Sequence, residues 1–217
     1  MPDAKPTPQP QSSVTISTQL LTAVAKWAST ERPNISAVRV EKGELFATDG
    51  HRMVRVPVPA AHGFEVAVRR SYVLAAAQAQ SALSGPDVLT GPEGKSLAIS
   101  RAGGDVQIVL GTDVRLMVPD GSHRDAPTLA RLNSNTPTLA ETGSRSPSGY
   151  VLNPGYLAAI DEVEFAIHGG TCGTFKRNGV RCVAWATTPA EEKLTSIMFE
   201  GESGARYLIM PMRGWGK

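Results

Sequence analysis

The stretch LFATDGHRMVRV, Leu45–Val56, predicts a strand, a tight turn and a second strand. The turn falls at Asp49-Gly50, a dipeptide that favours the chain reversal of a β-hairpin. Val54 and Val56 then alternate with other residue types, which is typical of a strand with one covered face. The turn itself carries an acid, an imidazole and a guanidinium side by side. It is therefore a polar turn, a catalytic cluster, or part of a binding site completed from elsewhere in the chain.

Catalysis is the less favoured interpretation of this turn. Asp49 and His51 lie two positions apart, so a strand would place them on one face without forcing a hydrogen bond. No nucleophile adjoins them, and the chain has no Gly-x-Ser-x-Gly motif. GPEGKS, Gly91–Ser96, lacks the spacing and the following helix of a phosphate-binding loop. His168 and the two cysteines fit no standard zinc spacing. We therefore predict a protein that is not an enzyme and that needs no metal or cofactor.

The bulk composition is that of a folded globular protein. The chain has 217 residues, of which 41% are apolar and 19% charged, enough for one large or two small domains. A net charge of +2 permits contact with nucleic acid but does not indicate it. Two cysteines are too few for a secreted disulfide scaffold, and no apolar run approaches the ~20 residues of a membrane helix. We expect a cytoplasmic protein without membrane contact.

The apolar pattern around the hairpin predicts one order of elements twice. Residues 14–111 divide into two strand–helix–strand–strand–strand units of ~50 residues each, with low identity between them. In the first helix Ser17 is a suitable cap, and the apolar face continues to Trp27, with the helix running through Thr30. The segments predicted in the second unit are FEVAVR, RSYVLAAAQAQSAL, DVLTG, SLAISR and DVQIVLG, with VRLMVPDG as one further strand.

The C-terminal part is less regular. Residues 123–149 are rich in Ser, Thr and Pro and predict a linker or long loop. Asn153 is a good helix cap, with Pro154 at the first helical position. Two hairpins follow, the first turning at Asn178-Gly179. The predicted organisation is a flexible tail at 1–13, a domain at 14–122, the linker at 123–149, and a second domain at 150–217.

The final strand YLIMPMRG, Tyr207–Gly214, has two methionines on either side of a proline. One interpretation is an edge strand, in which Pro211 stands where no ladder N–H is needed. The other is that Met210 and Met212 line an adaptable apolar pocket, because thioether side chains accept varied partners.

ATDGHRM and YLIMPMR together resemble two signature stretches of the bacterial DNA polymerase III β subunit, the sliding clamp. In that family the first lies early in the middle domain and the second closes the chain. Residues 14–40 resemble the opening of the middle domain, and VLNPGYLAAIDEV resembles the last helix of the third. VRLMVPDGSHRDAP is similar to the end of the middle domain, with Ser-His-Arg where the family usually has Phe-Pro-Asp. The resemblance implies an α+β DNA-clamp fold with antiparallel sheets and helices on one face.

The chain also departs from that pattern. By comparison with the family we expect the first domain to be absent and the third to be incomplete, because the opening strands of the third would fall in the linker. GWGK also follows the final arginine. Clamps close their rings as two chains of three domains or as three chains of two. A two-domain chain is therefore expected to form a head-to-tail homotrimer, or else to be a monomer that only captures peptides.

In the clamp family the two signatures meet and form a pocket for short linear peptides of polymerases, the clamp loader and repair proteins. The resemblance implies an apolar floor, a polar rim and arginines that can fix a peptide's carbonyls or carboxylates. The residues carried over are Ile35, Thr48, Gly50, His51, Arg52 and Met53 on one wall, and Leu208, Met210, Pro211, Met212 and Arg213 on the other.

A clamp also surrounds double-stranded DNA with helices whose Lys and Arg contact phosphates without reading sequence. Here those helices are thinly charged, and Lys26, Arg69 and Arg70 are the candidate contacts. The function implied is a polymerase processivity or recruitment factor in DNA replication. The alternative is a clamp-like interaction module that forms no ring and competes with a full clamp for its partners.

Overall fold

The computed structural model describes residues 13–84, 96–110, 114–134, 152–168, 181–188 and 193–210. The predicted tail before residue 13, residues 85–95, most of the predicted linker, the Asn178-Gly179 turn and everything after residue 210 lie outside these ranges. The strands are β1 Ser13–Ser17, β2 Ala37–Glu41, β3 Glu44–Thr48, β4 Arg52–Pro57, β5 Val66–Arg69, β6 Ser96–Ala102, β7 Asp105–Leu110, β8 Val114–Pro119, β9 Arg181–Thr188, β10 Lys193–Glu200 and β11 Arg206–Ile209. The helices are α1 Thr18–Ala25, α2 Arg70–Ser84, α3 Leu129–Ser134 and α4 Pro154–Ile167.

The predicted repeat is confirmed. The order β1–α1–β2–β3–β4 is followed by β5–α2–β6–β7–β8, so each unit is a strand, a helix and three strands. The last strand of the second unit is β8, formed by VRLMVP, which the sequence pattern placed outside the repeat. The segment DVLTG, predicted as a strand of that unit, lies outside the described residues.

The two units exchange their first strands. β1 pairs with β6, and β5 pairs with β2, so neither sheet is built from one unit alone. One sheet has four strands in the order β1-β6-β7-β8, and the other has seven in the order β5-β2-β3-β4-β11-β10-β9. Every strand pair is antiparallel. The architecture is therefore α+β, as predicted.

Helix α1 begins as predicted but ends earlier. The Ser17 hydroxyl accepts a hydrogen bond from the Leu20 N–H at 3.4 Å, which is an N-cap. The helix ends at Ala25 rather than Thr30, because the backbone changes to i→i−3 bonds such as Trp27 N–H to Val24 O at 3.0 Å. Trp27 is nevertheless fully buried, so its predicted place on the apolar face is confirmed.

One apolar core joins helices α1, α2 and α4 and both sheets. Helix α1 packs against α2 and α4, and side chains of β11 belong to the same buried cluster as those of the repeated units. The largest fully buried side chains are Trp27, Tyr207, Phe46, Leu21, Leu45, Leu97, Ile99, Ile108, Leu110, Ile160, Ile197 and Ile209. The described part of the predicted second domain thus shares this core, and the division into two domains stays a prediction.

The chain after β8 lies against the seven-stranded sheet. Gly121 N–H donates to Ala67 O at 2.7 Å, and Leu129 N–H donates to the buried Glu41 carboxylate at 3.2 Å. The Glu41 side chain of β2 therefore caps the N-terminus of α3, which lies within the stretch predicted as a linker. Within the described ranges, no helix is both long enough and apolar enough to cross a membrane.

Candidate functional site

The structure brings the two distant signature segments together. β4 and β11 are antiparallel neighbours, with Met53 opposite Leu208. Beyond the paired residues, Met210 N–H donates to His51 O at 2.8 Å. The β3–β4 turn and the end of β11 therefore lie side by side where the two predicted domains meet.

The β3–β4 turn is fixed by its own polar groups. Gly50 has a φ of +91°, a conformation that favours glycine. One Asp49 carboxylate oxygen accepts from the N–H groups of His51 at 2.9 Å and Arg52 at 3.0 Å. The Thr48 hydroxyl accepts from Gly50 N–H at 3.1 Å and donates to Arg52 O at 2.7 Å. Asp49 thus acts as the acceptor of an Asx turn.

Arg52 faces inward, although the sequence placed it on the peptide-binding wall. Its Nε donates to the second Asp49 oxygen at 2.9 Å, and its Nη2 donates to Lys26 O at 3.0 Å. The guanidinium carbon lies 4.7 Å from the ring centroid of Trp27 and 4.8 Å from that of Tyr156. With only 14% of its side chain exposed, Arg52 is occupied by neighbours within the protein.

The other predicted wall residues differ in exposure. Met53 is only 3% exposed and belongs to the interior. His51 and Met210 are exposed, whereas Ile35, Thr48, Gly50 and Leu208 are partly exposed. Pro211, Met212 and Arg213 lie outside the described residues.

A small apolar depression adjoins the turn. It has a volume of about 10 Å³, roughly the space of one water molecule. Ile35 and Thr48 line it together with residues that the sequence did not indicate: Asn34, Ala37, Arg39, Phe46, Ala47, Gly121, Ala126 and Pro127. For Gly121, Ala126 and Pro127 the sequence signal is the stretch VRLMVPDGSHRDAP, which the resemblance assigns only to the end of the middle domain.

Arg32 is a further residue that the sequence did not indicate. A Cβ placed on Gly50 would lie 2.7 Å from Arg32 Nη1 and 3.5 Å from the Ile35 methyl, so both side chains rest on this glycine. Arg32 is exposed, and its guanidinium has no hydrogen-bond or ion-pair partner within the described ranges. It is therefore a cation available beside the depression.

A buried acid anchors the β10–β11 turn behind the junction. Glu164 is 5% exposed, and one of its oxygens accepts from the Tyr207 hydroxyl at 2.6 Å and the Ser203 hydroxyl at 3.0 Å. The turn residue Gly201 packs so closely on this carboxylate that a Cβ would overlap it. Burial raises the pKa of Tyr207, and so do its hydrogen bond to Glu164 and the charges of Glu164 and Asp161. Tyr207 is therefore a neutral donor.

The three predicted DNA contacts are not brought together. Lys26 lines a groove of about 500 Å³ between α1 and α4 and pairs with Glu162 at 2.8 Å, beside Asp161. Arg69 and Arg70 line a different pocket of about 500 Å³. Its other lining residues are Ser29, Thr30, Glu31, Pro33, Ser36, Ser71 and Leu74. The groove between the helices thus has no excess of positive charge.

Comparison with solved structures gives matches across nearly the whole chain. The β subunit of DNA polymerase from Streptococcus pyogenes is 12% identical, with a TM-score of 0.55, covering 94% of this chain and 66% of that one. The DNA polymerase sliding clamp of Pseudomonas aeruginosa is 15% identical, with a TM-score of 0.53, covering 96% and 68%. A sliding clamp of Bartonella birtlesii bound to griselimycin is 12% identical, with a TM-score of 0.54, covering 95% and 66%.

These similarities, together with the strand order above, show that the chain has the fold of a DNA sliding clamp. In particular, the fold is that of the bacterial DNA polymerase III β subunit, and the chain spans about two thirds of the length of those structures. No protein-family model matches the sequence, and no curated protein is significantly similar to it.

Proposed function

We propose that the chain is a non-enzymatic, sliding-clamp-like factor that recruits replication or repair proteins through short linear peptides. The observation that carries this proposal is the pairing of β4 with β11, which sets the two signature segments side by side. The clamp fold supports it, since the structures that the chain resembles are a DNA polymerase sliding clamp and a DNA polymerase β subunit.

The proposed peptide site lies at the outer edge of this junction. His51 and Met210 offer an exposed rim, and Ile35 with Thr48 borders the apolar depression. Because that depression holds only about 10 Å³, an apolar peptide side chain would enter only as the lining side chains move apart. The site further includes Gly50, Leu208, Pro211, Met212 and Arg213, with Met53 as buried support.

A fluorescent peptide of the Gln-x-x-apolar-apolar type tests this site directly. Binding by the wild-type chain is expected, with affinity about tenfold lower in His51→Ala and Met212→Ala, as is typical of strong interface residues. The matched control is His62→Ala, an exposed histidine beyond the far end of β4. Absence of binding, or an affinity in His51→Ala equal to that of the control, would contradict the proposal.

We further propose that the chain assembles head to tail into a homotrimeric ring. Each described sheet has two edge strands, β1 and β8 in one and β5 and β9 in the other. The ring that we propose pairs β8 of one copy with β9 of the next. Val114 and Met117 of β8 are 38% and 52% exposed, so a copy paired with this strand would cover apolar surface. Light scattering should give a mass near three times 23.0 kDa, and Met117→Lys should lower it. A monomer at all concentrations would refute the ring and favour the non-ring alternative.

Because Lys26 is already paired with Glu162, DNA contact in the proposed function depends mainly on other basic residues. The residues proposed for phosphate contact are Arg69 and Arg70, with Lys26 secondary. Retention on closed circular DNA should weaken as salt rises, since phosphate contacts release counterions. Arg69→Gln combined with Arg70→Gln should reduce the slope of that dependence; an unchanged slope would exclude both residues.

A further inference from the structure

Arg52 connects three separate parts of the chain. Its side chain bonds the end of helix α1 through Lys26 O and the β3–β4 turn through Asp49. It also lies against Trp27, just after α1, and Tyr156 of α4. Each of these parts comes from a different element, and α4 belongs to the predicted second domain.

We propose that Arg52 is a positioning residue: it holds the β3–β4 turn against α1 and α4 and so presents Gly50 and His51 to a peptide that it does not itself contact. The inference rests on the proposed function, because it assigns a role within the same peptide site.

The geometry requires a guanidinium. Nε and Nη2 point to two different acceptors while the planar group lies against two aromatic rings. A lysine ammonium is a compact, strongly hydrated charge that cannot reproduce this arrangement of donors and planar contacts. Arg52→Lys therefore keeps the charge but loses the combination of two hydrogen bonds and two aromatic contacts.

Asp49 transmits the effect of Arg52 to the turn. One carboxylate oxygen of Asp49 holds the N–H groups of His51 and Arg52, and the other is held by the Arg52 side chain. Without the guanidinium, the carboxylate is free to rotate, and the two amides lose a fixed acceptor. The exposed His51 is then less ordered in the free protein, so more order must be gained on binding.

The aromatic contacts continue this connection into the interior. The ring centroids of Trp27 and Tyr207 lie 5.7 Å apart, and the Tyr207 hydroxyl donates to Glu164 of α4. Arg52 thus contacts one end of a packed series, Trp27–Tyr207–Glu164, that reaches α4 by a second route. Through this packing the turn is connected to both helices.

A double-mutant cycle with the fluorescent peptide tests whether Arg52 contacts a peptide side chain. Each peptide side chain is truncated in turn to alanine and measured with wild type and with Arg52→Lys. We expect Arg52→Lys to weaken every peptide by about the same factor, on the order of tenfold, because it acts before the peptide arrives. If truncating one peptide side chain abolishes the effect of Arg52→Lys, then Arg52 contacts that side chain and the proposal is overturned.

Amide hydrogen exchange without peptide supplies the second readout. In Arg52→Lys the N–H groups of His51 and residue 52 should exchange about tenfold faster, while that of Val54, within β4, should be unchanged. Tyr156→Phe keeps the ring and should match wild type, whereas Tyr156→Leu should raise exchange in the turn. Equal exchange at His51 in wild type and Arg52→Lys would overturn the positioning role. Faster exchange at His51 in Arg52→Lys, together with failure of the wild type to bind any peptide, would instead refute the proposed function and leave Arg52 only an ordering role in the turn.

Discussion

Tyr207→Phe tests the buried hydrogen bond between Tyr207 and Glu164, behind the β4–β11 junction. Tyr207 is fully buried and donates to Glu164 at 2.6 Å. The Ser203 hydroxyl donates to the same carboxylate at 3.0 Å, and His168 Nε2 lies 3.7 Å from its second oxygen. Removing the phenol hydroxyl therefore takes one donor from a carboxylate in a dry environment. Because hydrogen bonds to charged groups contribute about 1.5–3 kcal/mol, we expect the free energy of unfolding to fall by that amount near pH 8.

The pH dependence of this difference has a definite sign. Burial first, and then the hydrogen bond to Glu164, raises the pKa of Tyr207 above its ordinary value of about 10. Above that pH the unfolded chain loses the phenol proton while the folded chain keeps it, so the unfolded state binds fewer protons. The stabilisation by Tyr207 is thus complete below about pH 10 and should decline above it by roughly 1.4 kcal/mol per pH unit.

Urea unfolding followed by circular dichroism at pH 8, 9, 10.5 and 11 measures this directly. The quantity compared is the difference in free energy of unfolding between wild type and Tyr207→Phe. Tyr72→Phe is the matched control, because the Tyr72 hydroxyl has no hydrogen-bond partner in the described part of the chain. A difference for Tyr207→Phe that stays constant from pH 8 to pH 11 would refute the reasoning.

Two further predictions concern packing and surface charge. Gly121→Ala should lower the free energy of unfolding by about 1–3 kcal/mol, because its Cβ would lie 2.9 Å from the Arg69 backbone nitrogen. Gly104→Ala, which has open space around it, should leave the thermal midpoint unchanged, and equal midpoints for both variants would contradict the close approach at Gly121. Lys26→Ala should change the free energy of unfolding by less than about 0.5 kcal/mol in chemical denaturation, because its ion pair with Glu162 is about half exposed. A larger loss would mean that this pair holds α1 to α4.

Much of the fold was predictable because it is encoded locally. The hairpin at Asp49-Gly50, the cap at Ser17 and the cap at Asn153 each depend on a few adjacent residues, and all three are present. The exchange of β1 and β5 between the two units was not predicted, because strand partners distant in sequence leave no mark in local periodicity. The early end of α1 depends on backbone bonds that the apolar pattern does not reveal.

For the candidate site, the sequence predicted only that two distant segments of the chain lie side by side. The signatures indicated that residues near His51 and Met210 would be neighbours, and their backbones are hydrogen-bonded. They could not indicate that Arg52 turns inward, because its partners Trp27 and Tyr156 come from two helical regions far away in the sequence. Which arginine is exposed beside Gly50 is likewise a tertiary property.

The β4–β11 junction depends on side chains as much as on its backbone ladder. The two strands pair over a short stretch, from Arg206 opposite Arg55 to Ile209 opposite Arg52. Like charges directly opposite each other across a strand pair are unfavourable. Each arginine of the first pair lies near a carboxylate: Arg55 makes a two-pronged ion pair with Glu44 at 2.7 Å, and Arg206 lies 3.5 Å from Glu200. The ion pairs of Arg55 and Arg206 thus lie at one end of this short ladder, and the contacts of Arg52 lie at the other end. We infer that these side chains, together with the ladder, fix the two signature segments in register.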